Sequence, residues 1–380
     1  MASALLLASS AFAQTTFNWY GFIRNYAIYD SHASSAGTED LYYYMPNNND
    51  ATGNFNFVAL TSRLGVDVKG YEVEGYNVAA KIEADFYNKN STTAIMRLRQ
   101  AYFTMAKDGR TWKMGQAWHP MAADMPDIFS LETGAPFGPF SRTPLVSLDV
   151  AGAGSLGFTM AAIWQMQYTS TGPDGATANY IKYGGLPELY FGLNLKPSDK
   201  LLWRVGADLL SIKPYKDNAG RLTTYNAFTY LQYTTDKWVI KDKLTYAQDG
   251  SHFNMVGGYG LSGKDGDMNT FSATRNLSDW FTVQYKGWGK WRPSLFLGYT
   301  KMFGTPDEVT TSWCKLNAST ANTLYRIQPE ITYNLGKVTF GLEYMRTSVQ
   351  YGKSDSKMLA TSDLHWVTNN RIQTMLKYTF

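Results

Sequence analysis

One pattern repeats along this chain from Asn18 to Phe380: about ten residues of alternating apolar and polar character, a turn, then about ten more. The last segment shows both faces, with Ile372 and Leu376 on one and Arg371 and Lys377 on the other. Successive residues of a β-strand point to opposite sides. The pattern therefore predicts a chain built from many strands, each with one apolar and one polar face.

The connections between these segments are short and long by turns. The short ones fall at residues 70–75, 107–110, 151–155, 197–200, 235–237, 286–290 and 334–337. The long, polar ones fall at residues 31–54, 88–94, 119–143, 169–183, 213–220, 248–267, 304–322 and 350–370. A soluble sandwich gives no reason for this alternation, whereas a membrane barrel has short turns at one end and long loops at the other. We predict an all-β fold, a transmembrane antiparallel β-barrel of about sixteen strands that occupies residues 14–380 as one domain.

Composition and the position of aromatic residues support a place in a bacterial outer membrane. The sequence contains no run of about 18 apolar residues, so strands rather than helices must cross the lipid. Aromatic residues make up 15% of the chain and gather at segment ends, where they would form two interfacial girdles. The net charge of +4 is spread along the chain, so we expect lipid contact and no nucleic-acid partner.

The N-terminal residues have the features of an export signal. Residues 4–7 are apolar, and Ala11-Phe12-Ala13 before Gln14 has the form of a signal-peptidase site. We interpret residues 1–13 as a signal peptide whose basic n-region is incomplete. The single Cys314 can form no internal disulfide, which is compatible with export.

Strand parity predicts a charged interior. If apolar residues such as Val58, Leu60, Leu64 and Val66 face lipid, the inward set is Arg63, Lys81, Glu83, Arg97, Arg99, Lys113, Arg326, Glu330 and Glu343. Charges this regular would be costly in a dry core, so we expect a hydrated lumen. Asp242 shares the parity of Trp238 and Leu244, which leaves a β-bulge, a subunit contact or a mistaken phase as explanations.

Residues for catalysis or metal binding form no recognisable motif. The histidines His32, His119, His252 and His365 are far apart in sequence and lack ligand spacing, so we predict no metal site and no cofactor. His119, Asp124 and Ser130 share a segment, but no strand-fixed nucleophile and base accompany them. We therefore predict no catalytic residues and no enzyme activity.

Residues 119–142 follow the predicted fifth strand and contain Pro120, Pro126, Pro136 and Pro139. This segment resembles the infolded third loop of the trimeric general porins, which has the same place in strand order. The Tyr20-Gly21-Phe22, Gly115-Gln116 and Trp118 motifs are also similar to DcaP-like porins. The resemblance implies a homotrimer whose loop 119–142 is folded into the pore.

The resemblance also implies a constriction lined by opposed charges. Its basic wall would comprise Arg24, Arg63, Arg97, Arg99, Lys113 and Arg142. The facing acids on the loop would be Asp124, Asp127 and Glu132. Opposed fixed charges create a transverse field that screens solutes by size and dipole.

The expected function is passive diffusion of small hydrophilic solutes through a water-filled channel, with a preference for anions. Only a short segment precedes Asn18, so we do not expect energised uptake. Three alternatives stay open: a barrel enzyme, a binding or adhesion barrel, and a channel selective for one sugar or anion.

Overall fold

The computed structural model describes residues 15–35, 43–87, 89–90, 93–152, 154–217 and 220–380. The predicted signal peptide, residues 1–13, lies outside the described residues. The strands of the first half are β1 Thr16–Asp30, β2 Asn54–Val58, β3 Arg63–Val73, β4 Tyr76–Asp85, β5 Lys89–Asn90, β6 Thr93–Ala94, β7 Arg97–Lys107, β8 Arg110–Trp118, β9 Arg142–Ala151, β10 Leu156–Ile163, β11 Thr171–Gly172 and β12 Gly175–Ala176.

A short helix, α1 Asn179–Gly184, precedes the second half of the chain. Its strands are β13 Glu188–Ser198, β14 Leu201–Ile212, β15 Leu222–Thr234, β16 Trp238–Gln248, β17 Gly257–Asp265, β18 Met268–Ala273, β19 Arg275–Tyr285, β20 Trp291–Gly304, β21 Thr311–Lys315, β22 Ala321–Leu335, β23 Val338–Ser354 and β24 Ala360–Thr379. Single 3-10 turns lie at Pro120–Ala122 and Ser251–Phe253. Among the described residues, no helix combines the length and apolar character needed to cross a membrane.

The sheet closes on itself. Seventeen strands form one antiparallel sheet in which β2 and β3 both pair with β1 as two pieces of one wall strand, giving a closed barrel of 16 strands. Closure comes from pairing between β1 and β24, for example Arg24 with Lys377. The predicted barrel and strand number are confirmed.

The short turns follow from local backbone chemistry. At Glu74-Gly75 and Asp108-Gly109 both residues have positive φ, as two-residue hairpin turns that match the strand twist require. These turns collect at one end of the barrel, and the long loops collect at the other. One predicted loop is much shorter than expected, because β23 and β24 continue to Ser354 and from Ala360.

The outer wall is apolar and the inner wall is polar, as parity predicts. Ile82, Leu342 and Ile372 are exposed on the outside, whereas Arg326 and Glu343 are buried inside. Among the described residues, six of the eight exposed tryptophans lie near the short turns: Trp19, Trp112, Trp203, Trp238, Trp288 and Trp291. Trp164 and Trp366 lie toward the long loops. A closed sheet with this exterior satisfies its backbone hydrogen bonds and presents apolar side chains to lipid.

The structure corrects the predicted orientation of Val58 and explains the position of Asp242. Val58 pairs with the inward-facing Tyr26 and is buried, so its predicted lipid-facing position is wrong. The break between β2 and β3 shifts the alternation by one residue. Asp242 pairs in regular register with Leu231 and Phe281, so it lies on the outer wall without a bulge.

The long loops add structure above the barrel. Strands β17, β18 and β21 form a separate three-stranded sheet, which we call the cap. Its aromatic side chains pack together, with the rings of Tyr259 and Trp313 5.4 Å apart. A smaller apolar core joins the cap to α1 through Tyr180 and Ile181.

Candidate pore constriction

Residues 119–141, between β8 and β9, enter the barrel and form what we call the constriction loop. Its backbone is held by the inner wall. Phe129 N–H donates to Glu330 Oε2 at 2.9 Å, and Phe129 O accepts from the Tyr26 hydroxyl at 2.7 Å. Ser130 Oγ accepts from Gln328 Nε2 at 2.9 Å. The infolded loop that the resemblance implied is confirmed.

The three predicted loop acids each contact a cation of the barrel wall. Asp124 pairs with Arg204 on β14, and Asp127 lies 2.6 Å from Lys241 on β16. Glu132 pairs with Arg326 on β22 at 3.4 Å, and both side chains are fully buried. These partners differ from the basic wall that the resemblance implied, so the acids hold the loop in place.

The predicted basic residues on β3 and β7 pair with acids on β4. Arg99 lies 2.7 Å from Glu83 and 2.9 Å from Asp85. Arg97 pairs with Asp85 at 2.9 Å, and Arg63 lies 3.6 Å from Glu83. Three guanidinium groups therefore share two carboxylates, and this cluster keeps one positive charge.

Lys113 and Arg142 occupy aromatic surroundings. Lys113 Nζ lies 5.5 Å from the centre of the Tyr102 ring, and the Arg142 guanidinium lies 4.7 Å from the Trp118 ring. Arg142 Nε also donates to Gln167 Oε1 at 2.7 Å. Both cations thus have local partners that the basic-wall prediction did not include.

The other predicted lumen residues all have partners inside the barrel. Lys81 pairs with Asp67 at 2.7 Å. Glu343 accepts from Gln328 Nε2 at 2.8 Å and from Gln373 Nε2 at 2.7 Å. The interior is therefore a polar network and not a row of independent charges.

A cavity of about 480 Å³ lies between the constriction loop and the wall. Its charged lining comprises four cations and four acids: Arg24, Arg63, Arg99, Lys377, Glu83, Asp85, Asp127 and Glu330. Arg24 Nε donates to Thr61 Oγ1 at 3.0 Å. In the described part of the chain, neither Arg24 nor Lys377 forms an ion pair. Both line the cavity, so their charges are available to a solute in it.

Sequence reasoning missed several of these residues. Arg204, Lys241 and Lys243 point inward, and strand parity with Trp203 and Leu244 could have identified them. Lys377 was placed on the polar face of the last strand but was not assigned to the constriction. It also missed a second inserted segment, residues 43–46, which lacks any alternation. Arg326 donates to the carbonyls of Tyr43 and Tyr44 at 3.0 and 3.1 Å.

Known proteins share this architecture. Residues 8–135 match the profile of the DcaP outer membrane protein family. The crystal structure of the outer membrane channel DcaP of Acinetobacter baumannii superimposes with a TM-score of 0.78 at 19% identity, covering 96% of this chain and 97% of that one. The predicted resemblance to DcaP-like porins is confirmed. DcaP-like strand order thus extends over the whole barrel, beyond the matched third of the sequence.

More distant porins share the fold. OmpT of Vibrio cholerae in its trimer form gives a TM-score of 0.58 at 11% identity, covering 96% of this chain and 99% of that chain. An anion-selective porin from Comamonas acidovorans gives 0.59 at 10% identity, covering 97% and 100%. Among curated protein sequences, none matches this chain. The apolar exterior, the polar lumen and the match to an outer membrane protein family show an integral outer-membrane barrel with a porin-like fold.

Proposed function

We propose that this DcaP-like barrel lets small hydrophilic solutes diffuse passively across the outer membrane and that it prefers anions. The observation that carries the proposal is the cavity beside the constriction loop, where Arg24, Arg63 and Lys377 meet. Arg24 and Lys377 are direct cross-strand neighbours between β1 and β24. Because porin selectivity depends on fixed charge at the narrowest point, this pair favours anions.

The charges on the constriction loop do not cancel this preference. Asp124, Asp127 and Glu132 are each engaged by a cation of the wall. The Arg63, Arg97 and Arg99 cluster keeps a net positive charge beside the cavity. A small anion that passes here therefore meets the charges of Arg24 and Lys377, which are unpaired among the described residues. A small cation meets Asp127, which is paired with Lys241, and Glu330, which accepts hydrogen bonds from Phe129 N–H and Ser294 Oγ.

The reversal potential across a planar bilayer tests the anion preference. Under a potassium chloride gradient, the reversal potential of the wild-type channel should have the sign expected when chloride crosses more readily than potassium. One unit charge at about 4 Å in water is worth about 1 kcal/mol, which is about fivefold for each ion. Because Lys377→Gln should hinder anions and favour cations, it should lower the anion-to-cation permeability ratio by up to about 25-fold. Arg24→Gln should act in the same direction.

Arg346 supplies the matched control, because it lies on the outer wall beside Tyr344. Arg346→Gln removes the same charge and should leave the reversal potential unchanged. A wild-type channel that prefers cations, or equal shifts in the Arg346 and Lys377 variants, would contradict the proposal.

We further propose that the protein assembles as a homotrimer. The likeness to the OmpT structure in its trimer form supports this assembly. A single barrel buries only its lumen, whereas association of outer walls would add apolar burial between copies.

A further inference from the structure

Four titratable side chains from distant parts of the sequence meet on the inner wall near the loop-bearing end. They are His119 at the start of the constriction loop, Glu188 on β13, Asp208 on β14 and His252 in the 3-10 turn after β16. All four are almost completely buried. We call them the His-carboxylate cluster.

The cluster has the spacing of a metal site. His119 Nε2 lies 2.9 Å from Glu188 Oε1, and His252 Nε2 lies 3.6 Å from the same oxygen. One ligand atom from each of His119, Glu188 and Asp208 lies within 4.8 Å of the others. Such a group can surround one ion with small side-chain movements.

Several polar atoms of the cluster lack a partner. Glu188 Oε2, Asp208 Oδ2 and both ring nitrogens of His252 are buried and form no hydrogen bond with the described residues. An unsatisfied buried polar group costs about 1–3 kcal/mol. Two adjacent buried carboxylates also repel each other unless a proton or a cation lies between them.

We propose that the His-carboxylate cluster binds a divalent transition-metal ion of the Zn²⁺ or Mn²⁺ type through His119, Glu188 and Asp208, with His252 as a fourth ligand. A mixed set of imidazole and carboxylate ligands suits these ions. Ca²⁺ and Mg²⁺ prefer oxygen ligands alone, which two histidines do not supply.

The tautomer of His119 defines what the ion must displace. Met121 N–H donates to His119 Nδ1 at 3.1 Å, which places the ring proton on Nε2 toward Glu188. A metal ion on Nε2 replaces this proton, and the neutral ring then carries its proton on Nδ1. The Met121 hydrogen bond is therefore given up, and the adjustment falls on the Pro120–Ala122 turn. Since protons compete for the ligands, acidification should weaken binding.

The ion would connect both ends of the constriction loop to one turn. His119 begins the loop, and Phe140 near its end donates its N–H to Phe253 O at 2.8 Å. Asn254 Nδ2 also donates to Phe140 O at 3.3 Å. His252 belongs to the same turn as Phe253. A metal ion at the cluster would therefore hold the first residue of the constriction loop and the segment around Phe140 to one turn.

Metal titration of the purified full chain tests the proposal. Folded protein in detergent is stripped with a chelator and titrated separately with zinc chloride and manganese chloride by calorimetry. The expected result is a single ion per chain at saturation. Asp208→Asn and His252→Gln should each weaken binding by at least about tenfold. The control His365→Gln replaces an exposed histidine that contacts Asn48, and it should bind as the wild type does.

Binding that is equal in the wild type and Asp208→Asn, or that is lost in His365→Gln, would overturn the metal site. Absence of binding to wild-type protein would also overturn it and would indicate a proton shared by Glu188 and Asp208. If both cluster variants fail to fold, X-ray absorption of the loaded wild type decides. Scattering from imidazole ligands around the bound metal supports the site, and a spectrum without it refutes the site.

Discussion

Arg326 shows how one buried side chain can organise two inserted segments. Its guanidinium donates to Thr347 Oγ1 at 2.9 Å, to Ala135 O at 3.2 Å and to the carbonyls of Tyr43 and Tyr44. It also pairs with Glu132. A planar group with five donors can satisfy all these acceptors at once, which a lysine cannot do. Strand parity places Arg326 in the lumen, but its partners depend on where both segments rest.

Replacing Arg326 with Met should destabilise the barrel and loosen the constriction loop. The change leaves Glu132 and three carbonyls without their donor, and breaking a buried ion pair costs about 3–5 kcal/mol. We expect a lower unfolding temperature and larger, noisier single-channel conductance. Arg346→Met, on the outer wall, should change neither measurement. Unchanged conductance and stability in the Arg326 variant would show that other contacts suffice to hold the loop.

At the scale of elements, the wall could be predicted and the inserted segments could not. Each strand carries its alternation in its own residues, so sixteen strands and their inward charges follow from the sequence. The break between β2 and β3 shifts the inward–outward alternation by one residue. An orientation extrapolated from β3 to Val58 is therefore wrong. The partners of Asp124 and Asp127 lie far away in sequence, on β14 and β16. No local pattern encodes where a loop will rest once the barrel has closed.

The cap should become more stable as pH rises. Burial lowers the pKa of Lys315, on β21, to about 8, against about 10.4 for an unfolded lysine. The unfolded cap thus binds more protons between these values, and stability increases with pH across that window. Trp313 fluorescence during denaturant unfolding at pH 7.5 and 9.5 should show the rise. In Lys315→Gln the two curves should coincide, and a persistent rise there would assign the effect to another group.

At the scale of the whole molecule, the proposed trimer makes a simple prediction. Native mass spectrometry of the detergent-solubilised protein should give particles of three chains. Heating should convert them to single chains. The contacts between the outer walls of neighbouring copies are lost before the closed barrel of each chain unfolds. Particles of one chain at every concentration would contradict the homotrimer.

The pairing of β1 with β24 also affects biogenesis. Phe22 finds its partner Thr379 only when almost the entire polypeptide has been made. Until then the opening strand keeps an open row of amide and carbonyl groups, the kind of edge at which chains aggregate. A nascent molecule of this design must therefore be kept from self-association during export, and its last residues complete the cylinder.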